Sequence, residues 1–194
     1  KRTLRLAALS LLTKRGRSED VARLVAHFAS ARNATDEISA LSLIANQREA
    51  IRVPALAKYH ARWKNDHIMI DHWFACQAAS SQASALLATK RLTRDPLFSM
   101  RNPNKVRALI FSFATANPIN FNRADGKGYD FVADKILELD AINPQVAARL
   151  VGAFRNWSSL EPTRRQLAKR ALKAVASRKG LSRDVVELTA KILG

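Results

Sequence analysis

The stretch Asn143-Pro144-Gln145-Val146-Ala147-Ala148-Arg149-Leu150 decides the fold class. An asparagine just before a proline is a helix start: its side-chain oxygen accepts from the free N–H groups of the first turn. Proline at the first helical position lacks the N–H that would otherwise go unpaired. From there Val146, Leu150, Phe154 and Trp157 return at helical spacing. Gln145 and Arg149, four residues apart, fall on another face of the same helix and point away from that stripe. The same dipeptide recurs at Asn102-Pro103 and Asn117-Pro118, so three helices open alike.

Working outward, the helical period dominates. Val106, Leu109, Ile110 and Phe113 repeat at i, i+3, i+4 and i+7, and Leu4, Ala8, Leu11 and Leu12 at i, i+4, i+7 and i+8. Further stripes run through Val21, Leu24, Val25 and Phe28, through Ile38, Leu41 and Ile44, through Ile70, Trp73, Phe74 and Gln77, and through Phe131, Lys135, Ile136 and Leu139. Leu172 with Val175, and Val185 with Leu188 and Ile192, continue the pattern to the end. Thr35 beside Asp36 and Glu37, Ser18 beside Glu19 and Asp20, and Ser182 near Asp184 add expected caps, and Gly16 and Gly180 fall where helices should stop. About ten or eleven helices result. The longest irregular stretch, Asn117 to Tyr129, holds Asp125-Gly126-Lys127-Gly128 and reads as a structured loop or a linker.

Gly and Pro number only six each, which disfavours turn-dense β sandwiches and low-complexity disorder. The expected class is all-α. Short-linked amphipathic helices bury their stripes by stacking on neighbours, as antiparallel pairs or as a superhelical solenoid. No clean sequence repeat at ~34 or ~40 residues identifies a repeat family from periodicity alone.

With 194 residues, the chain is expected to form a single domain over 1–194. No window approaches the ~20 apolar residues of a membrane span. The opening Lys1-Arg2-Thr3-Leu4 lacks an initiator Met, which points to a fragment of a longer protein. The one cysteine, Cys76, permits no internal disulfide and fits a reducing, cytoplasmic compartment.

Several chemistries are missing. A zinc peptidase helix needs two His four residues apart, whereas His67 and His72 are five apart. Five residues rotate roughly 140°, so these imidazoles diverge, with no Glu between them to act as base. His27 and His60 have no carboxylate or cysteine at ligand spacing. No metal site is expected in this chain. Cys76, beside Trp73 and Phe74 on an apolar helix, reads as a buried inert thiol. Asp125-Gly126-Lys127-Gly128 looks like a phosphate loop but lacks a preceding strand and reads as a tight turn.

The net charge is +17, so an anionic partner must be weighed. From Arg149 to Arg183 the only acidic residue is Glu161, and Arg164, Arg165, Lys169, Arg170 and Lys173 fit one side of a helix. Such a stripe suits phosphates, and a helical-repeat nucleic-acid binder is one alternative. Arg and Lys also serve solvated or docking faces, and no aromatic-plus-basic module accompanies them, so nucleic acid is the less favoured partner. A protein scaffold is a third reading, and it would require an exposed apolar groove.

Four ordered motifs carry a resemblance: Met69-Ile70-Asp71-His72-Trp73-Phe74, Phe98-Ser99-Met100-Arg101-Asn102-Pro103-Asn104-Lys105-Val106-Arg107, Asp125-Gly126-Lys127-Gly128-Tyr129-Asp130-Phe131, and the opening stretch from Asn143 to Leu150. With flanks such as Asn33-Ala34-Thr35-Asp36 and Trp63, the chain closely resembles the C-terminal domain of the bacterial aminopeptidase N family of zinc metallopeptidases. Phe111 departs from that pattern, where the family usually has Gly, and so does Asn122, where it usually has His.

The resemblance implies an all-helical HEAT- or armadillo-like stack that caps the active-site chamber and admits peptides and flexible chains. It implies no catalytic residue, metal or cofactor here. Zinc and the catalytic domains belong to the rest of the same longer chain, which would be the partner, with peptides as substrates. Gln145 and Arg149 correspond to chamber-facing residues, Arg149 offering a guanidinium fork to a peptide carboxylate or carbonyl and Gln145 orienting it.

Overall fold

A computed structural model describes residues 2–194; Lys1, in the opening tetrapeptide, lies outside the described residues. The described residues are helical with no β-strand, as the periodicity requires. They divide into two compact units, residues 2–82 and 83–194.

The first unit holds α1 (Arg2–Lys14), α2 (Ser18–Ala29), α3 (Ala34–Ile44), α4 (Glu49–Trp63) and α5 (His67–Ala78). Each helix packs on the next, and α1, α3 and α5 also pack in succession, so neighbours alternate between two layers as in stacked helical repeats. Leu24, Leu41, Ile44, Tyr59, Ile70 and Phe74 form the core. Buried polar groups are anchored: the Trp73 indole N–H donates to the Leu56 carbonyl at 3.0 Å, and Ser80 Oγ donates to the Ala45 carbonyl at 2.8 Å.

Two expectations fail in this unit. Of the Leu4, Ala8, Leu11 and Leu12 stripe of α1, the first three face outward, with Leu4 76% and Leu11 66% exposed, and only Leu12 is half-buried, while Leu9 and Thr13 are buried. Leucines at 4, 6, 9, 11 and 12 give α1 apolar residues on more than one side, so the stripe does not select the inward face. The caps also differ. Asn33 Oδ1, not Thr35, accepts from the Asp36 N–H at 3.0 Å, and α2 is preceded by Arg17 with no side-chain cap.

The second unit holds α6 (Ala85–Leu92), α7 (Pro103–Val106), a π-helical turn (Arg107–Phe111), α8 (Ser112–Ala116), α9 (Pro118–Phe121), α10 (Lys127–Asp140), α11 (Pro144–Val151), 3₁₀ turns at Gly152–Phe154 and Trp157–Ser159, α12 (Pro162–Ala176) and α13 (Arg183–Leu193). Here α10 packs on α11 and α12, and α13 on α11 and α12, a four-helix stack. Leu109, Ile110, Phe113, Tyr129, Ile136, Phe154 and Leu172 are fully buried. Each such side chain is worth roughly 1.5–3 kcal/mol relative to exposure.

All three Asn-Pro starts behave as read, with Asn102, Asn117 and Asn143 each accepting from a first-turn N–H and proline at the first position. Ser182 likewise caps α13. The irregular stretch from Asn117 is shorter than expected, because α9 occupies part of it and α10 begins at Lys127. Two four-residue helices and the interruption at Arg107–Phe111 raise the described α-helical segments above the ten or eleven read from periodicity.

Candidate functional site

The candidate site is built on α11. Asn143 Oδ1 accepts from the Val146 N–H at 3.2 Å and fixes the helix start. The core side of the helix is Ala147, Leu150 and Val151, all buried; Val146 is half-buried, and Phe154 continues the burial into the following 3₁₀ turn. This leaves Gln145 and Arg149 exposed, one helical turn apart. Among the described residues neither side chain has a hydrogen-bond or ion-pair partner. The pair therefore presents a free amide and a free guanidinium with five N–H donors, suited to a planar carboxylate or a peptide carbonyl.

The basic stripe of α12 is different. Arg164 Nε donates to the Asn122 carbonyl at 2.6 Å and its Nη1 meets Glu161 at 3.0 Å. Arg165 Nε donates to the Leu160 carbonyl at 3.0 Å, Lys169 Nζ lies 5.1 Å from the Trp157 ring centroid, and Arg170 pairs with Asp130 at 3.3 Å. Four of the five stripe cations thus hold intrachain contacts, which weakens the case for a phosphate-tracking face.

His67 and His72 are both exposed on α5, and His60 packs against the Trp73 ring at 4.8 Å. No three His, Cys, Asp or Glu converge among the described residues, so these residues do not fit a zinc ion. Cys76 is buried although His72, four residues before it, is exposed. Burial pushes its thiol up to about 12, which leaves it unreactive near neutrality.

Asp125-Gly126-Lys127-Gly128 is a tight turn. Gly126 has φ +72°, and Asp125 Oδ1 accepts from the Lys127 N–H at 3.1 Å. Two hydrogen bonds from Arg123, at 3.1 and 2.9 Å, lead the effects that lower the Asp125 carboxyl to about 2. Of the two departures from the family pattern, Phe111 ends the π-helical turn and is half-buried. Asn122 is engaged within the chain: Oδ1 accepts from the Tyr129 hydroxyl at 3.0 Å and Nδ2 donates to the Pro118 carbonyl at 2.9 Å.

Sequence reading missed one close approach. A Cβ on Gly128 would lie 2.3 Å from the Asn120 carbonyl oxygen and 2.4 Å from that of Phe121, so only glycine lets α10 start against α9. The DGKG motif held the signal, but not the choice between a turn glycine and a contact glycine.

The fold and the exposed α11 face define an all-helical repeat domain. Residues 1–194 match the family described as "Domain of unknown function (DUF3458_C) ARM repeats", and the chain belongs to it. It is 38% identical over its whole length to aminopeptidase N of Caulobacter vibrioides and 34% identical to that of Escherichia coli, covering 22% of each. It is 36% identical over 86% of its length to aminopeptidase N of Haemophilus influenzae, covering 19% of that protein. Among solved structures it matches Legionella pneumophila aminopeptidase A in complex with aspartic acid, at a TM-score of 0.92 and 34% identity, over 99% of this chain and 23% of the other. The chain thus spans about a fifth of its relatives' length. No described helix is long and apolar enough to cross a membrane.

Proposed function

We propose that residues 1–194 form one non-catalytic C-terminal domain of a longer zinc aminopeptidase, a cytoplasmic enzyme that releases N-terminal residues from peptides. The domain caps the active-site chamber and restricts entry to peptides and flexible chains. Its partners are the catalytic domains of the same chain, which hold the zinc that activates water for hydrolysis. The observation that carries this reading is the unpaired Gln145 and Arg149 on the exposed side of α11, in a chain similar throughout to aminopeptidases. Arg149 binds a peptide carboxylate or carbonyl on the leaving-group side, and Gln145 orients it.

In the longer enzyme, Arg149→Ala is expected to raise KM or lower kcat for peptides more than for amino-acid amides, which are too short to reach it. Equal effects on both substrates would remove Arg149 from the site. The 194-residue chain alone is expected to hydrolyse nothing, and zinc-dependent cleavage of an alanyl amide by it would refute the non-catalytic assignment. A nucleic-acid partner would show as a steeply salt-dependent duplex shift.

A further inference from the structure

Along α11 and the turn after it, Gln145, Arg149, Gly152 and Asn156 recur at i, i+4, i+7 and i+11, the spacing of one helical face. The backbone stays in the right-handed helical region through Gly152 and Arg155, so the four positions remain in line. Gln145, Arg149 and Asn156 are exposed, and among the described residues none of these three side chains has a partner. Gly152 interrupts the row. Its φ of −56° is open to any residue, and a Cβ added there would meet no heavy atom within 4 Å. Neither its own backbone nor its neighbours require glycine, a poor helix former, at this position. What glycine does there is leave a gap.

The gap adjoins a depression of about 400 Å³ within the second unit, which both Gly152 and Asn156 line. Its accessible wall includes Pro118 and Asn156, both exposed, and Gly152, Ala153, Trp157 and Leu160, all half-buried. The Trp157 N–H is spent on the Ile192 carbonyl at 2.8 Å, so that ring offers apolar surface. No charged side chain is among the lining residues. A charged group entering here would lose water without gaining a countercharge, whereas an uncharged side chain loses little.

We propose that Gly152 and Asn156 extend the α11 site to longer peptides. Past the residue held by Arg149, the peptide crosses Gly152, sets one uncharged side chain in the depression and hydrogen-bonds its backbone to the Asn156 amide. This rests on the reading of Gln145 and Arg149 as a peptide-binding pair. An amide offers both a donor and an acceptor, as a peptide backbone requires. The peptide runs toward Asn156 because the depression and a second unpartnered amide lie on that side. Asn156 follows Arg149 by seven positions, about 10–12 Å at ~1.5–2.0 Å per residue. An extended peptide covers that distance in about three residues at ~3.3 Å each.

The test is peptide length. In the longer enzyme, KM is measured for alanine peptides of increasing length in the parent and in Arg149→Ala, Gly152→Leu and Asn156→Ala. Each variant should begin to raise KM at its own length: Arg149→Ala first, then Gly152→Leu and Asn156→Ala in peptides longer by about one to three residues. The rise should reach about three- to tenfold, the size of one lost hydrogen bond or contact. Asn156→Gln keeps the amide and should recover part of the loss. Gly152→Ala adds a single methyl and should act in the same direction as Gly152→Leu but less. An aspartate at the peptide residue that enters the depression should raise the parent's KM at least about threefold more than that of Gly152→Leu. Equal effects of Gly152→Leu at every length overturn the proposal, because the rest of the longer chain would then occupy the depression. So does the lack of any length dependence in Gly152→Leu and Asn156→Ala while Arg149→Ala still separates peptides from amides, a result that leaves the role of Arg149 intact. If Arg149→Ala does not separate them either, the peptide-binding reading of α11 falls, and this extension with it.

Discussion

In α11, Ala147, Leu150 and Val151 are buried, and the residues left in water are Gln145 and Arg149; in α1, Leu9 is buried while Leu4 and Leu11 stand mostly in water. Both helices show apolar residues at helical spacing. The difference lies in what occupies the remaining positions. Where the other face is polar, burial of the apolar stripe has one solution. Where leucines surround the helix, the spacing fixes the helix but not its rotation about its axis, and packing against α2 and α3 chooses.

The largest expected effect breaks the α10–α11 side at its backbone. Gly128→Ala places a Cβ against two carbonyl oxygens that belong to α9 and cannot rotate away. The corner must open, and a loss of about 4 kcal/mol or more is expected, in the exceptional tail of single substitutions. Denaturant unfolding of the variant chain measures it. A loss below ~1 kcal/mol would mean that the α9–α10 corner yields easily, and the rigid support assumed for α11 would go with it.

Next comes a direct comparison of the two helices. Leu150→Ala, at a fully buried position, should cost about 2–5 kcal/mol from lost transfer energy plus the cavity left behind. Leu11→Ala, at 66% exposure, should stay within ~0.5 kcal/mol. Similar losses in both would show that the outer side of α1 is covered in solution and would erase the contrast.

What was legible follows the same division. The Asn-Pro starts could be read because a cap is a local bond, as at Asn143 to Val146, and the Val106 to Phe113 stripe could be read because all four positions are buried. The π-helical turn inside that stripe was not legible, since Arg107–Phe111 has ordinary helical composition. Gly126 and Gly128 look alike in sequence, yet one is required by its own φ of +72° and the other by carbonyls of a different helix. For the candidate site, the exposure of Gln145 and Arg149 followed from spacing alone. The depression lined by Ala114, Gly152 and Ala168 did not, because it depends on residues that α8, α12 and the turn after α11 bring together.

The smallest expected effect sharpens the comparison by separating charge from packing at the turn that launches α10. The Asp125 carboxyl sits near 2, held there first by the Arg123 hydrogen bonds and then by the Lys127 N–H, against ~3.9 in an unfolded chain. A folded-state value below the unfolded one contributes stability that is complete above ~4 and is lost as pH falls toward 2. Asp125→Asn keeps an acceptor for Lys127 but removes the charge, so its thermal midpoint should lie below that of the parent chain at neutral pH. The two midpoints should converge between pH ~4 and 2. The carboxylate is about a third exposed and its ion pair is screened by solvent and salt, so the gap should stay within ~1 kcal/mol and narrow in high salt. A gap that persisted at pH 2 would assign the turn's contribution to its hydrogen-bond geometry, leaving the order of the α10–α11 side to packing alone.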